Sequence, residues 1–179
     1  MSFYHFVRNH VLPLFGEKKH ILFKYIFNYS PMYSRTTAKI QELSKDLKYI
    51  QIKLPISYKN RNFARTIFGG SMYAAVDPIA VSQFVHLLGK DYVVWDKSAQ
   101  IAYKKPARVD LYADFNVTDD EIKNIKEILK TRNHTEIEKT VQLTNKDKSK
   151  VFCEVKRVVY IANKRYYKQK MVKIKAQSS

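Results

Sequence analysis

The stretch TIFGGSMYAAVDPIAVSQFVHLLG, residues 66–89, decides the fold. Its 24 residues lie between Arg65 and Lys90 and carry one charge, Asp77, in a chain that is 27% charged. A helix so depleted of charge is buried on nearly every side. The length would suit a membrane span, but Gly69, Gly70, Ser71, Asp77, Pro78, Ser82 and Gln83 argue against contact with lipid. A helix wrapped by protein fits better.

Outward from this helix the period changes from helical to alternating. Upstream, Ile50, Ile52, Leu54 and Ile56 alternate with Gln51, Lys53 and Pro55, which reads as one half-buried strand ending near the proline. Residues 57–63 read as a polar loop. Downstream, Val93, Trp95, Ala99, Ile101 and Tyr103 are expected to share one face, interrupted by Lys97. Val109, Leu111, Ala113, Phe115 and Val117 alternate with Asp110, Tyr112, Asp114 and Asn116. Thr118-Asp119-Asp120-Glu121 has the form of a capping box, the Thr hydroxyl accepting the third amide and Glu121 reaching back. It opens a helix at about 119–130 with Ile122, Ile125, Ile128 and Leu129 on one side. Two further strands, 135–144 and 150–162, flank the turn Asn145-Lys146-Asp147-Lys148. Near the start, residues 3–12 and 18–29 read as short helices separated by Pro13-Leu14-Phe15-Gly16. The tail after Asn163 is expected to fray.

This order predicts an α+β fold, an antiparallel sheet curled around a long central helix, with extra N-terminal helices. It divides into an N-terminal helical extension (1–30), one main domain (31–165) and a basic C-terminal tail (166–179). At 179 residues, 45% hydrophobic and 13% aromatic, the chain can bury a substantial core.

Lysine and arginine number 33 against 16 acidic residues, a formal charge of +17. Such a charge attracts phosphates, anionic lipid or nucleic acid. No nucleic-acid motif accompanies it, so nucleic acid is not an expected partner, and a lysine-rich host accounts for the excess equally well. The helix at 18–29, basic and aromatic, either packs on the domain or makes peripheral membrane contact. Cys153 stands alone in an apolar run and reads as a small core residue in a reducing compartment. No secretory segment is evident, and a cytoplasmic location is expected. His5, His10, His20, His86 and His134 lack metal-ligand spacing, so no metal is expected, and His86 reads as a core histidine. No phosphate loop, dinucleotide fingerprint or serine-nucleophile motif is present.

The chemistry concentrates on the apolar helix. A helix start presents unpaired, positive amides, and Gly69-Gly70 would let a ligand approach them closely. A carbonyl placed there would be polarised and its oxyanion stabilised. A plain turn is the alternative. Asp77 is ionisable in an apolar run and must be paired, hydrated or shifted. It reads as a site residue, as an N-cap ahead of Pro78 starting a second helix segment, or as a partner for Lys97. Lys104, Lys105 and Arg108 end a strand and suit either phosphates at a pocket mouth or a solvated loop.

The run from Asn62 through Arg65, Thr66, Phe68, Gly69 and Gly70 to Asp77 resembles the signature of PaaI-like acyl-CoA thioesterases of the hotdog superfamily. Both spacings, Asn62 to Gly70 and Gly70 to Asp77, are kept. Together with Asp77-Pro78 and Val94-Trp95-Asp96-Lys97, the pattern resembles an uncharacterised branch of that superfamily over roughly residues 30–165. The resemblance implies a hotdog fold and a site shared by two subunits of a homodimer or higher homo-oligomer. It implies acyl-CoA as substrate and no cofactor. Asp77 would be nucleophile or general base, Gly69 and Gly70 would polarise the carbonyl, and Asn62 would hold water or substrate. Arg65, Thr66 and Phe68 would line the substrate, with Lys104, Lys105 and Arg108 near the CoA phosphates. Two departures stand out: Phe68 replaces the motif histidine, and Arg65 replaces the turn glycine. The first leaves a non-catalytic acyl-CoA or lipid-binding protein as the alternative.

Overall fold

A computed structural model describes residues 19–177. The elements in order are α1 (Lys19–Tyr29), α2 (Pro31–Ser34), β1 (Lys39–Leu43), β2 (Tyr49–Leu54), α3 (Gly69–Leu88), β3 (Tyr92–Tyr103), β4 (Leu111–Asn116), α4 (Asp119–Thr131), β5 (His134–Thr144), β6 (Val151–Asn163) and α5 (Lys164–Gln177). The expected helix at 3–12 and its Pro13–Gly16 break lie outside the described residues.

The strands form one antiparallel sheet in the order β1-β2-β4-β5-β6-β3. One face of it wraps α3. Ile50, Ile52 and Leu54 of β2, Leu111, Ala113 and Phe115 of β4, and Val155 and Val159 of β6 are buried with Met72, Ala75, Val76, Ile79 and Phe84 of the helix. Each valine, leucine, isoleucine, phenylalanine or methionine among them contributes about 1.5–3 kcal/mol on burial. Tyr33, fully buried, fixes α2 to α3 through a 3.1 Å hydrogen bond from its hydroxyl to the Ala75 carbonyl. The α+β architecture read from the sequence is therefore the observed one.

Four local expectations are corrected. A short edge strand, β1, precedes β2, where the sequence suggested a single strand before the long helix. Val109 lies ahead of β4 and is exposed, so the buried alternation begins at Leu111. Thr118 accepts the Glu121 amide at 3.1 Å, but the Glu121 carboxylate turns to Lys139 at 3.0 Å and leaves the capping box half made. The tail is helical through Gln177 and does not simply fray, because Tyr166 stacks on His134 and Tyr167 packs on Trp95.

The fifth correction bears on the site. Strand β3 carries a bulge at Lys97: Asp96 pairs Val159, and Ser98 already pairs Val158. An extra residue shifts the alternation by one. Val93 and Trp95 therefore lie on the face opposite to Ala99, Ile101 and Tyr103, and Trp95 stacks on Tyr160 at 4.3 Å. Asp96 moves to the helix-facing side in their place.

Candidate active site

Helix α3 begins directly at Gly69, behind Phe68 in extended conformation, and no side chain caps it. Two hydrogen bonds clamp this entry: Ile67 N–H to the Ala107 carbonyl and Phe68 N–H to the Asn60 carbonyl, both 2.8 Å. The Ser71 and Met72 amides donate to the Phe68 carbonyl at 2.9 and 3.2 Å. Among the described residues, the Gly69 and Gly70 amides meet no acceptor, so the positive end of a 20-residue helix is open. A Cβ on Gly69 would lie 2.8 Å from the far edge of the Tyr103 ring and one on Gly70 closer still to the Phe68 ring, so either substitution would push an exposed aromatic ring aside.

An open groove of about 460 Å³ runs past this helix start, with Thr66, Gly69, Met72, Tyr103, Lys104 and Lys105 in its walls. Two of the three basic residues expected near phosphates thus share this groove with Gly69. Arg108 is exposed and does not line the groove.

Asn62 and Thr66 close the loop ahead of the helix. The Asn62 side chain accepts the Thr66 N–H at 3.1 Å and donates to the Thr66 hydroxyl at 2.9 Å, while the Asn62 N–H reaches the Thr66 carbonyl at 2.9 Å. Asn62 therefore spends its amide on the turn. At the tip Arg65 has φ 61°, the left-handed region that favours glycine, so the arginine is exposed on a strained backbone.

Asp77 lies about 10 Å along the helix from Gly70, seven residues at 1.5 Å each. Because α3 is unbroken through Pro78, Asp77 does not cap a second helix segment. It is not paired with Lys97 either: that lysine, on the bulge, binds Glu136 at 2.7 Å on the outside. One turn back, burial, with the neighbouring Asp77 carboxylate adding to it, pushes the Tyr73 phenol up to about 12.

What meets Asp77 from the sheet is Arg157 of β6. Its Nη1 donates to the Asp77 carbonyl at 2.6 Å and to the Asp96 carboxylate at 2.9 Å. The Arg157 side chain is 1% exposed and that of Asp96 18%. Burial lifts the Asp96 carboxyl above the usual carboxylate range, with Arg157 pulling it back. Neither Arg157 nor Asp96 was assigned a role from the sequence. The available signal was an arginine in phase with Cys153, Val155, Val159 and Ile161, a cation at a position that alternation assigns to the core. His86 packs its ring 6.3 Å from Phe23 of α1 and takes no place in the groove.

An antiparallel six-stranded sheet wrapped on one long helix is the hotdog fold. The chain belongs to the family described as Domain of unknown function (DUF4442), which matches residues 19–161. No curated protein matches it. Among solved structures, a Pseudomonas aeruginosa protein described as a probable thioesterase superposes with a TM-score of 0.72 at 14% identity, covering 80% of this chain and 95% of its own. A Haemophilus influenzae thioesterase gives 0.58 at 13% identity, covering 79% and 88%. Zebrafish thioesterase superfamily member 2 gives 0.56 at 19% identity, covering 77% and 94%. At such identities the likeness is one of fold.

Proposed function

We propose that the chain hydrolyses an acyl-CoA thioester at a site shared by two subunits. The observation that carries this is the open helix start at Gly69 in one groove with Lys104 and Lys105. The thioester carbonyl accepts the glycine amides, and the two lysines receive CoA phosphates. Asp77 takes a proton from water, the hydroxide adds to the carbonyl carbon, and the oxyanion is held by the amides. Collapse breaks the C–S bond and releases a carboxylic acid and CoA thiolate, which is then protonated. One amide donor of this kind supplies about 2.7–4 kcal/mol of barrier lowering.

The separation of about 10 Å between Gly70 and Asp77 on a rigid helix supports a two-subunit site. One carbonyl cannot touch both on the same chain, so the aspartate is the partner subunit's. Strand β3 offers the edge for that pairing: it ends the sheet, spans 12 residues and exposes Lys97 to Gln100.

Asp77→Asn and Asp77→Ala should lower turnover of a CoA-thioester panel by orders of magnitude in a free-thiol assay, with folding intact. Full activity in both variants refutes the mechanism. A second reading is favoured by Phe68, whose ring lies over Gly70 where the related motif has histidine: acyl-CoA or lipid binding without hydrolysis. Tight acyl-CoA binding by calorimetry with no thiol released over hours would decide for it.

A further inference from the structure

A helix lying on the surface of a domain ordinarily turns polar and charged residues outward. Helix α1 does not. Its inner face is firmly held: Phe23 and Phe27 are buried, and Phe27 packs on the Tyr33 ring at 4.7 Å. The Asn28 side chain ties the helix to β1, accepting the Ile40 N–H at 2.7 Å and donating to the Ile40 carbonyl at 3.1 Å. On the opposite side, one turn apart, stand Ile21, Tyr25 and Tyr29, which are 44%, 57% and 71% exposed. Met32 of α2 follows at 55%. The outward stripe is thus apolar and aromatic, and the anchoring of the inner face keeps it outward.

Cations border this stripe with no acid among them. From Lys19 to Gln41 the chain carries Lys19, Lys24, Arg35 and Lys39 and no aspartate or glutamate. Lys19, Arg35 and Lys39 are exposed, and among the described residues none of them meets a carboxylate. A second basic stretch is tethered nearby. The Asn60 side chain donates to the Thr37 hydroxyl at 2.8 Å, which brings the exposed Lys59 and Arg61 close to the turn after α2. Residues 47–76 again hold no acid. Such charges act on an anionic plane over a Debye length, about 8 Å at physiological salt, without touching it.

We propose that this face docks on the surface of an anionic phospholipid bilayer. Ile21 and Met32 reach the acyl boundary, the Tyr25 and Tyr29 rings lie at headgroup level, and the flanking cations meet lipid phosphates. No helix of the described residues is long and apolar enough to cross a membrane, so the contact lies in the surface. Other occupants fit the face less well. A second copy meeting it across a two-fold axis would set the same cations against themselves. The phosphates and sugars of a nucleic acid would give Ile21 and Met32 no apolar partner. The proposal is independent of the thioesterase reading, because it uses no residue of the glycine groove.

The test is flotation of the full chain with vesicles of phosphatidylcholine alone and of equal parts phosphatidylcholine and phosphatidylserine. The chain should float with the anionic vesicles only, and less so as salt rises. Because a net charge of +17 favours adhesion to any anionic surface, variants decide the matter. Tyr25→Ser combined with Tyr29→Ser, both at exposed positions, should weaken binding about tenfold or more with the unfolding temperature unchanged. Helix α5 packs on the opposite face of the sheet, through Tyr166 on His134 and Tyr167 on Trp95. Lys164→Gln with Lys168→Gln, both exposed there, should leave binding within about twofold. A tryptophan placed by Tyr25→Trp should be quenched by brominated phosphatidylcholine in anionic vesicles, beyond the response of the wild-type chain, whose one tryptophan is Trp95. Absence of flotation with anionic vesicles, unchanged binding in the tyrosine variant, or no added quenching at position 25 overturns the proposal. So does a dimer that the tyrosine variant dissociates in sedimentation velocity, or an oligoadenylate that binds the wild type and not that variant; these assign the face to a second copy or to nucleic acid.

Discussion

Removing the two members of the Arg157–Asp96 pair should have unequal consequences. The pair is 2.9 Å long, with Arg157 1% exposed and Asp96 18%. In Asp96→Ala the arginine remains charged, because a guanidinium does not deprotonate in a protein, and its own side chain is 1% exposed. An uncompensated charge in such a place costs about 3–5 kcal/mol. In Arg157→Met the stranded group is a carboxyl that burial already lifts above the usual range, and it escapes by taking a proton. Methionine also suits a face otherwise made of Val155, Val159 and Ile161. That variant should lose only about 1 kcal/mol, the scale of one net hydrogen bond. Asp96→Ala on the Arg157→Met background should then cost much less than it does alone. Urea unfolding followed by circular dichroism measures all four members of the cycle, with unchanged m-values as the check on two-state behaviour. If Asp96→Ala costs no more than Arg157→Met, or if the two losses add, the arginine is not the buried, charge-dependent group described above.

Three further outcomes are expected. Arg65→Gly should stabilise the chain by about 0.5–1 kcal/mol in the same urea assay: relief of the left-handed backbone at φ 61° gains about 1–2 kcal/mol, and the more flexible unfolded glycine returns part of it. Asp114 has its carboxyl held low: burial opposes this, but hydrogen bonds from Lys148, Gln51 and Tyr49 outweigh it. Its stabilisation is therefore present above the unfolded carboxylate pKa and lost as pH falls through the folded value, so Asp114→Asn should flatten the decline in melting temperature below about pH 4. Cys153 is buried, and burial pushes its thiol up to about 11. Ellman's reagent at pH 8 should leave the native chain unmodified and label it promptly in urea; rapid native labelling would contradict the burial.

Much of the architecture was legible in the chain, and the reasons are local. A 24-residue run with one charge has no stable place except inside, and the alternation in β2 and β4 states which face covers it. The glycines at the start of α3 and the lysines at 104 and 105 could be placed at element boundaries from the sequence, because helix starts and strand ends carry recognisable residue types. What the sequence left open were pairings between distant segments. Asp77-Pro78 reads equally well as an N-cap, and only the packed helix shows the proline inside it. Lys97 looked like the aspartate's partner because strict alternation put it on the apolar face. A bulge is an event of strand pairing, visible only against β6, and it turns Lys97 out to Glu136 and brings Asp96 in. Arg157, some 80 residues from Asp77, reaches it only because β6 crosses beneath the middle of α3. Sequence period thus determined which residues face the core, a property of each segment alone. Tertiary structure decided which charges meet there, because that depends on register between segments that the chain itself keeps far apart.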